Sequence, residues 1–242
     1  MRIYFHLPYR QTEGIIKATG KNLPDHPTYS QICRRVNKLE ISTKRSYDDE
    51  YDKDIIIAID STGIRVTNRG QWMQEKWNVK NKGYLKIHVA VDVNTKEILA
   101  LEVTDEKVHD RQVMQKLIEH ILKRNGNRDI KIKSALGDGS YDSNENFKFL
   151  QKNKILPAIK VRRNSIISLK NNSLRNREVY SQIKDLLKWK KKRKYGHRWM
   201  AETVFSSIKR TYGEYVSAIK YQNMVKEMIL KVSLYNMFRR MT

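Results

Sequence analysis

A chain of 242 residues with 39% apolar residues is long enough for one sizeable domain with appendages, or for two small ones. The 49 Lys and Arg outnumber the 26 Asp and Glu to give a formal charge of +23, which favours an anionic partner. Nucleic acid is favoured over a membrane surface, because the sequence carries neither a lipid-facing amphipathic helix nor a lipidation signal. The single cysteine, Cys33, excludes an internal disulfide and a cysteine zinc cluster. No signal peptide opens the chain and no apolar run could span a bilayer, so the expected compartment is the cytoplasm, in association with the nucleoid.

In chain order, residues 1–45 read as short helices. Within them, 26–40 carry Tyr29, Ile32, Cys33 and Val36 at helical spacing behind a proline near the helix start. This segment suits either a helix-turn-helix or a small packing helix. Residues 46–53 are polar and read as a linker. DIIIAID (54–60) is an apolar, β-branched run, the pattern of a buried strand. Residues 84–93 and 97–105 are strand-like, and Asn94, Thr95 and Lys96 join them as a tight antiparallel hairpin. An amphipathic helix follows at 110–126, with Val113, Met114, Leu117, Ile118, Ile121 and Leu122 as its stripe, Asp110 as its cap and Gly126 at its end. The spacing then predicts a strand at 132–138, a helix at 144–154 and a strand at 155–161. After a basic insertion at about 162–194 come helices at 195–212 and 221–240, the second more apolar. This order argues for an α/β fold, a mixed sheet covered by helices on both faces.

Charge is concentrated late in the chain. Residues 160–199 hold fourteen Lys and Arg against two acids, Glu178 and Asp185, so about half of the whole excess lies in forty residues. KKKRK, Lys190–Lys194, is its densest run and reads either as a DNA-tracking segment or as a solvated loop.

Three carboxylates stand out. IAID-STG ends a strand at Asp60, and ALGD-GS ends another at Asp138. An acid at the carboxyl end of a buried strand points into the crevice where ligands bind in open α/β sheets. Each Asp alone could simply cap the following turn, but two strands ending alike suit a shared cation. Mg²⁺ is the natural choice for paired carboxylates acting on phosphates. The third is Glu202. On a helix over 195–212, Tyr195, Arg198, Glu202 and Lys209 share an arc of about 60°, opposite Met200, Val204 and Ile208. A solvated face would explain the charges but not the tyrosine beside them.

The motif Y-x2-R-x3-E-x6-K (Tyr195, Arg198, Glu202, Lys209) resembles the signature of insertion-sequence transposases of the DDE superfamily. GDGSYDSNEN, with Asp138 and Tyr141, resembles that family's second-aspartate motif, and IAIDSTG its first. TGIRV…YLKIHVAVDV…EILALEVTDEKVHDRQVM is similar to the IS-five-like group. The resemblance covers roughly residues 54–240, while LPYRQTEGIIK…LPDHPTYSQICRR resembles the end of that group's helical N-terminal domain.

The resemblance implies a ribonuclease-H-like mixed five-stranded sheet over 54–242, preceded by a helical segment at 1–45 serving DNA binding or dimerisation. It implies a triad of Asp60, Asp138 and Glu202 holding two divalent metals, Mg²⁺ or Mn²⁺. The partners it implies are transposon inverted-repeat ends and target DNA, engaged as a homodimer or higher oligomer. DNA contacts are expected from Tyr195, Arg198 and Lys209, and along the insertion from Arg162, Arg163, Lys190, Lys191, Lys192, Arg193 and Lys194. Asp142 is a weaker candidate ligand, and Asp92 and Asp105 read as structural. His109 and Asp110 could lie near the site. Trp72 and Trp77 suit the core better than base stacking. Two other readings stay open: a two-metal nuclease or resolvase on the same fold, and a decayed DNA-binding relative.

Overall fold

The computed structural model describes residues 1–19, 25–39, 54–67, 84–124, 131–167 and 173–241. The linker at 46–53, Trp72, Trp77 and Gly126 lie outside the described residues. The chain divides into two compact units.

The larger unit comprises residues 44–63 and 84–205. Its elements are most of β1 (Asp54–Val66), β2 (Tyr84–Asp92), β3 (Ile98–Asp105), α3 (Asp110–Arg124), β4 (Lys131–Gly137), α4 (Asn144–Lys152), β5 (Leu156–Ile159), α5 (Leu174–Lys184), α6 (Leu186–Lys192) and the start of α7 (Trp199–Tyr212). The sheet order is β3-β2-β1-β4-β5. β2 and β3 pair antiparallel, whereas β1, β4 and β5 run parallel. That order, with a hairpin on one side and two parallel strands on the other, is the sheet of the ribonuclease-H-like fold. A sixth strand of two residues, β6 (Tyr215–Val216), extends it beyond the expected five by pairing with the end of β1.

Alternation along β1 sorts its side chains. Ile55, Ile57 and Ile59 join the core formed with Val113, Met114, Leu117, Ile118 and Ile121 of α3 and with Phe147 and Leu150 of α4. Asp60 therefore points to the opposite face, and Ser61 back toward α3. Asp92 holds the hairpin as anticipated, accepting from Asn94 N at 3.0 Å and Thr95 Oγ1 at 2.9 Å. Asp105 does the same for its turn, accepting from Lys107 N at 2.9 Å.

The basic insertion is built rather than loose. Ser173 caps α5, and Asp185 caps α6 through Lys188 N at 2.8 Å. Gln182 continues the edge of β5, donating to Ile159 O at 2.9 Å and accepting from Val161 N at 3.1 Å. Lys190, Lys191 and Lys192 close helix α6, so KKKRK is no simple loop.

The smaller unit comprises residues 1–43, 64–83 and 206–242. It holds α1 (Tyr9–Thr19), α2 (Tyr29–Lys38), β6 and α8 (Tyr221–Met241). α2 opens with a capping box between Thr28 and Gln31, as its turn chemistry suggested. α7 stops at Tyr212, followed by Gly213 at φ +77, where an added Cβ would come within 2.9 Å of the Tyr215 ring. α8 is less apolar inside than its sequence suggested. Glu227, Lys231 and Asn236 are buried on it, and Glu227 accepts from Ser217 N and Ala218 N, both at 3.0 Å to Oε2. Among the described residues, no helix is long and apolar enough to cross a membrane.

Candidate active site

β1 does not end at Asp60 as expected but continues to Val66. Its pairing with β4 ends with Ala58 opposite Leu136. Two residues further along both chains stand Asp60 and Asp138, level with one another on adjacent parallel strands. Asp138 thus stands just past the end of β4, whereas Asp60 lies within β1, beyond its pairing with β4.

Asp138 immediately follows β4 and caps a 3₁₀ turn, Gly139–Tyr141, accepting from Ser140 N at 2.9 Å and Ser140 Oγ at 2.5 Å. The capping role considered for it is thus realised. Asp60 is different. Its Oδ1 accepts from Ser61 N at 2.9 Å, and its Oδ2 accepts from Arg198 Nη1 at 3.3 Å. Burial pushes the Asp60 carboxyl above its ordinary pKa, and the negative charges of Asp138 and Glu202 add to this. The Ser61 amide and Arg198 oppose the shift without cancelling it.

Glu202 enters from the first turn of α7. Its Oε1 accepts from Arg198 Nη2 at 2.5 Å, a contact across one helical turn. Arg198 thereby bridges two of the three carboxylates. Among the described residues, no three His, Cys, Asp or Glu side chains stand close enough together to ring one ion. The guanidinium supplies the local positive charge instead.

The expected helix over 195–212 is split. Tyr195–Arg198 form a 3₁₀ turn, and the α-helix begins only at Trp199. Lys194 before the turn takes a left-handed conformation at φ 50, which sets the chain entering α7 apart from α6. Val204 and Ile208 are buried, so the apolar stripe stands. Tyr195 reaches the site from the turn, with its ring 5.2 Å from that of Trp189. Burial raises its hydroxyl pKa, and Asp138 and Asp60 are among the charges that act on it. Lys209 lies in the last turn of α7, in the smaller unit.

The insertion's cations divide into two groups. Arg162, Arg163, Lys191, Lys192 and Lys194 are exposed, and Lys190 is half-buried. Arg193 departs from the expected row, because it pairs with the buried Glu178, which also accepts from Trp189 Nε1 at 2.7 Å. Asp142 is likewise spoken for. It accepts from Arg175 Nε at 2.6 Å, Arg175 Nη2 at 2.9 Å and Arg162 N at 3.1 Å. Burial alone would raise its pKa, but these donors hold it below the usual carboxylate range. Sequence reading missed the Arg175–Asp142 and Arg193–Glu178 pairs; the one legible hint, for the second pair alone, was Glu178 standing with Asp185 among fourteen cations.

Residues 51–237 match the family model described as a transposase DDE domain. The chain belongs to the DDE transposase family. A second model of the same description matches residues 1–69. Among solved structures, the chain is similar to a chain of the simian T-cell lymphotropic virus intasome in complex with PP2A regulatory subunit B56 gamma, with 13% identity and a TM-score of 0.36. It is also similar to a chain of the Drosophila P element transposase strand transfer complex, with 12% identity and a TM-score of 0.36. Each match covers 97% of this DDE transposase chain but only 63% and 62% of the other, so the chain spans about three-fifths of their length.

Proposed function

We propose that this member of the family is a DNA transposase of the IS-five-like group that cuts DNA at transposon ends and joins the freed 3′-OH to target DNA. The observation that supports this reading is that Arg198 ties Asp60 to Glu202, at 3.3 Å and 2.5 Å, while Asp138 follows the strand paired with β1 and its charge acts on Asp60. Three side chains that offer only carboxylate oxygens suit hard divalent cations such as Mg²⁺ or Mn²⁺. Two such ions would supply Lewis acidity and a low-pKa water at the scissile phosphate.

The chain's own residues do the rest. Both reactions are in-line displacements at phosphorus: an oxygen of water or of a 3′-OH attacks, and the bridging 3′ oxygen leaves. Asp60, Asp138 and Glu202 fix the centre of the reaction. Arg198 is held by carboxylates in the free protein, and once those carboxylates have another counter-charge, its planar fork is free to grip a phosphate. Tyr195 lies beside it and can pack against the DNA backbone. The exposed Arg162, Arg163, Lys191, Lys192 and Lys194, with the half-buried Lys190, give the duplex a cationic path, and Lys209 is a separate candidate for a DNA contact. We further propose that the protein works on DNA as a homodimer or higher oligomer.

The test is incubation with inverted-repeat DNA, Mg²⁺ or Mn²⁺ and a target plasmid, scoring cleavage and joining separately. Cleavage with joining supports the reading. Cleavage without joining would make the protein a nuclease, and neither product would make it a DNA-binding relative without chemistry.

A further inference from the structure

Ser61 lies on the α3 side of β1, the face by which Ile57 and Ile59 join the core. A hydroxyl there needs partners, and the structure supplies a set of them. The Ser61 hydroxyl stands beside the carboxylate of Asp110, the first residue of α3, and Asp110 also forms an ion pair with Lys86 Nζ at 2.8 Å. Asp110 was expected to cap its helix, with a place near the site as the alternative. On the same side, the hydroxyl of Tyr141 is fully buried with no close partner among the described residues, and Ser61 is the side chain that reaches toward it.

A second tie joins the same helix start to the Asp138 turn. Asn146, on α4, is fully buried. Its Nδ2 donates to Tyr141 O at 3.0 Å and to Arg111 O at 3.1 Å, and its Oδ1 accepts from Gln115 Nε2 at 3.3 Å. Tyr141 N donates in turn to Asp138 O at 3.3 Å. The first turn of α3 therefore holds residue 61 through Asp110 and residue 141 through Asn146. One of these is adjacent to Asp60, and the other closes the turn begun by Asp138.

We propose that Ser61, Asp110 and Asn146 are positioning residues that set the spacing of Asp60 and Asp138 from beneath the sheet. This inference rests on the reading of those two carboxylates as cation ligands. Buried polar groups that are fully tied rigidify what they join, and outer partners of metal ligands typically change affinity or rate by about 10–100-fold when removed. None of the three can reach DNA through the sheet, so their loss should leave DNA affinity alone.

The test uses the full chain and Mn²⁺ alone, by titration calorimetry, for the natural protein and for Asp60→Ala, Ser61→Ala, Ser61→Thr and Asp110→Asn. Single-turnover cleavage at saturating DNA is measured beside it. Ser61→Ala and Asp110→Asn should weaken Mn²⁺ binding by about tenfold or more and slow cleavage by a similar factor, with the DNA Kd unchanged. Ser61→Thr keeps the hydroxyl and should restore both. Should Ser61→Ala fail to fold, Asp110→Asn, which has the same shape, carries the test. If both folded variants bind Mn²⁺ and cleave as the natural protein does, the positioning role is wrong while the triad stands. If Asp60→Ala and the natural protein bind Mn²⁺ equally, the triad reading falls and takes this inference with it.

Discussion

Removing Arg198 should tighten cation binding while slowing catalysis, and the two effects have separate magnitudes. The Arg198–Asp60 pair, at 3.3 Å, is mostly buried, with side chains 22% and 17% exposed. At an effective dielectric constant of 20, the bare Coulomb attraction at this distance is about 5 kcal/mol. Desolvation of both ions offsets most of that, leaving about 1–2 kcal/mol net. The Arg198–Glu202 pair is shorter, but Glu202 is 56% exposed, so solvent screening limits its contribution to about 0.5 kcal/mol. Asp60 therefore dominates the competition. Arg198→Ala should strengthen Mn²⁺ binding in the absence of DNA by about 5–30-fold. In single-turnover cleavage on saturating DNA, the same variant should be about 10²–10³-fold slower, because a fixed donor to the reacting phosphate is worth ~2.7–4 kcal/mol. Arg198→Lys should recover only part of the rate, since an ammonium cannot present two parallel donors. Weaker Mn²⁺ binding in Arg198→Ala would refute the argument, because it would make Arg198 a support of the site and not a stand-in for its cation.

Neutralising Lys190, Lys191, Lys192 and Lys194 together should weaken DNA binding for all sequences alike and flatten the slope of log affinity against log salt by about 0.9 per lost phosphate contact; an unchanged slope would remove them from the DNA path. Arg193→Ala should act on stability instead, costing about 3–5 kcal/mol in urea unfolding because Glu178 is left buried and unpaired. His88 provides a pH test. It is fully buried against Asp110 and Lys86, with Nε2 at 3.0 Å from Thr104 Oγ1, and burial lowers its pKa to about 4 from an ordinary 6.5. The unfolded chain then binds the extra proton across that window. Stability should be full above pH 6.5 and fall as the pH drops toward 4, by at most about 3 kcal/mol. His88→Gln should flatten this dependence in urea midpoints, and an identical pH slope in the variant would place the titration elsewhere.

The sheet was legible because its strands announce themselves locally: DIIIAID and YLKIHVAVDV are rich in β-branched residues, and IKSALGD is a short segment that ends at a turn. The level placement of Asp60 and Asp138 followed from the parallel pairing expected of such runs. What stayed hidden depends on contacts across long sequence separations. β1 runs past Asp60 because Arg65 and Val66 find partners in Tyr215 and Val216, which no local pattern reveals. The break at Trp199 arises in a turn where Gly196 and a left-handed Lys194 tighten the chain, while the side-chain pattern reads as one continuous helix. Counting charges could not tell Arg193 and Arg175, which pair with buried acids, from the exposed lysines beside them. Ser61 and Asn146 were readable only as a turn residue and a helix position, and Asp110 as a cap that could lie near the site, because their partners lie on other elements.

The central claim is that Asp60, Asp138 and Glu202 act together as one catalytic centre on DNA. Its most direct test is single-turnover cleavage of inverted-repeat DNA in Mn²⁺ by the three single alanine variants and by the triple variant, with DNA affinity measured alongside. Residues that act as a unit are strongly non-additive, so each single variant should lose nearly as much rate as the triple one while DNA affinity is held or slightly improved. A variant such as Asp138→Ala that still cleaves at close to the natural rate would contradict the account.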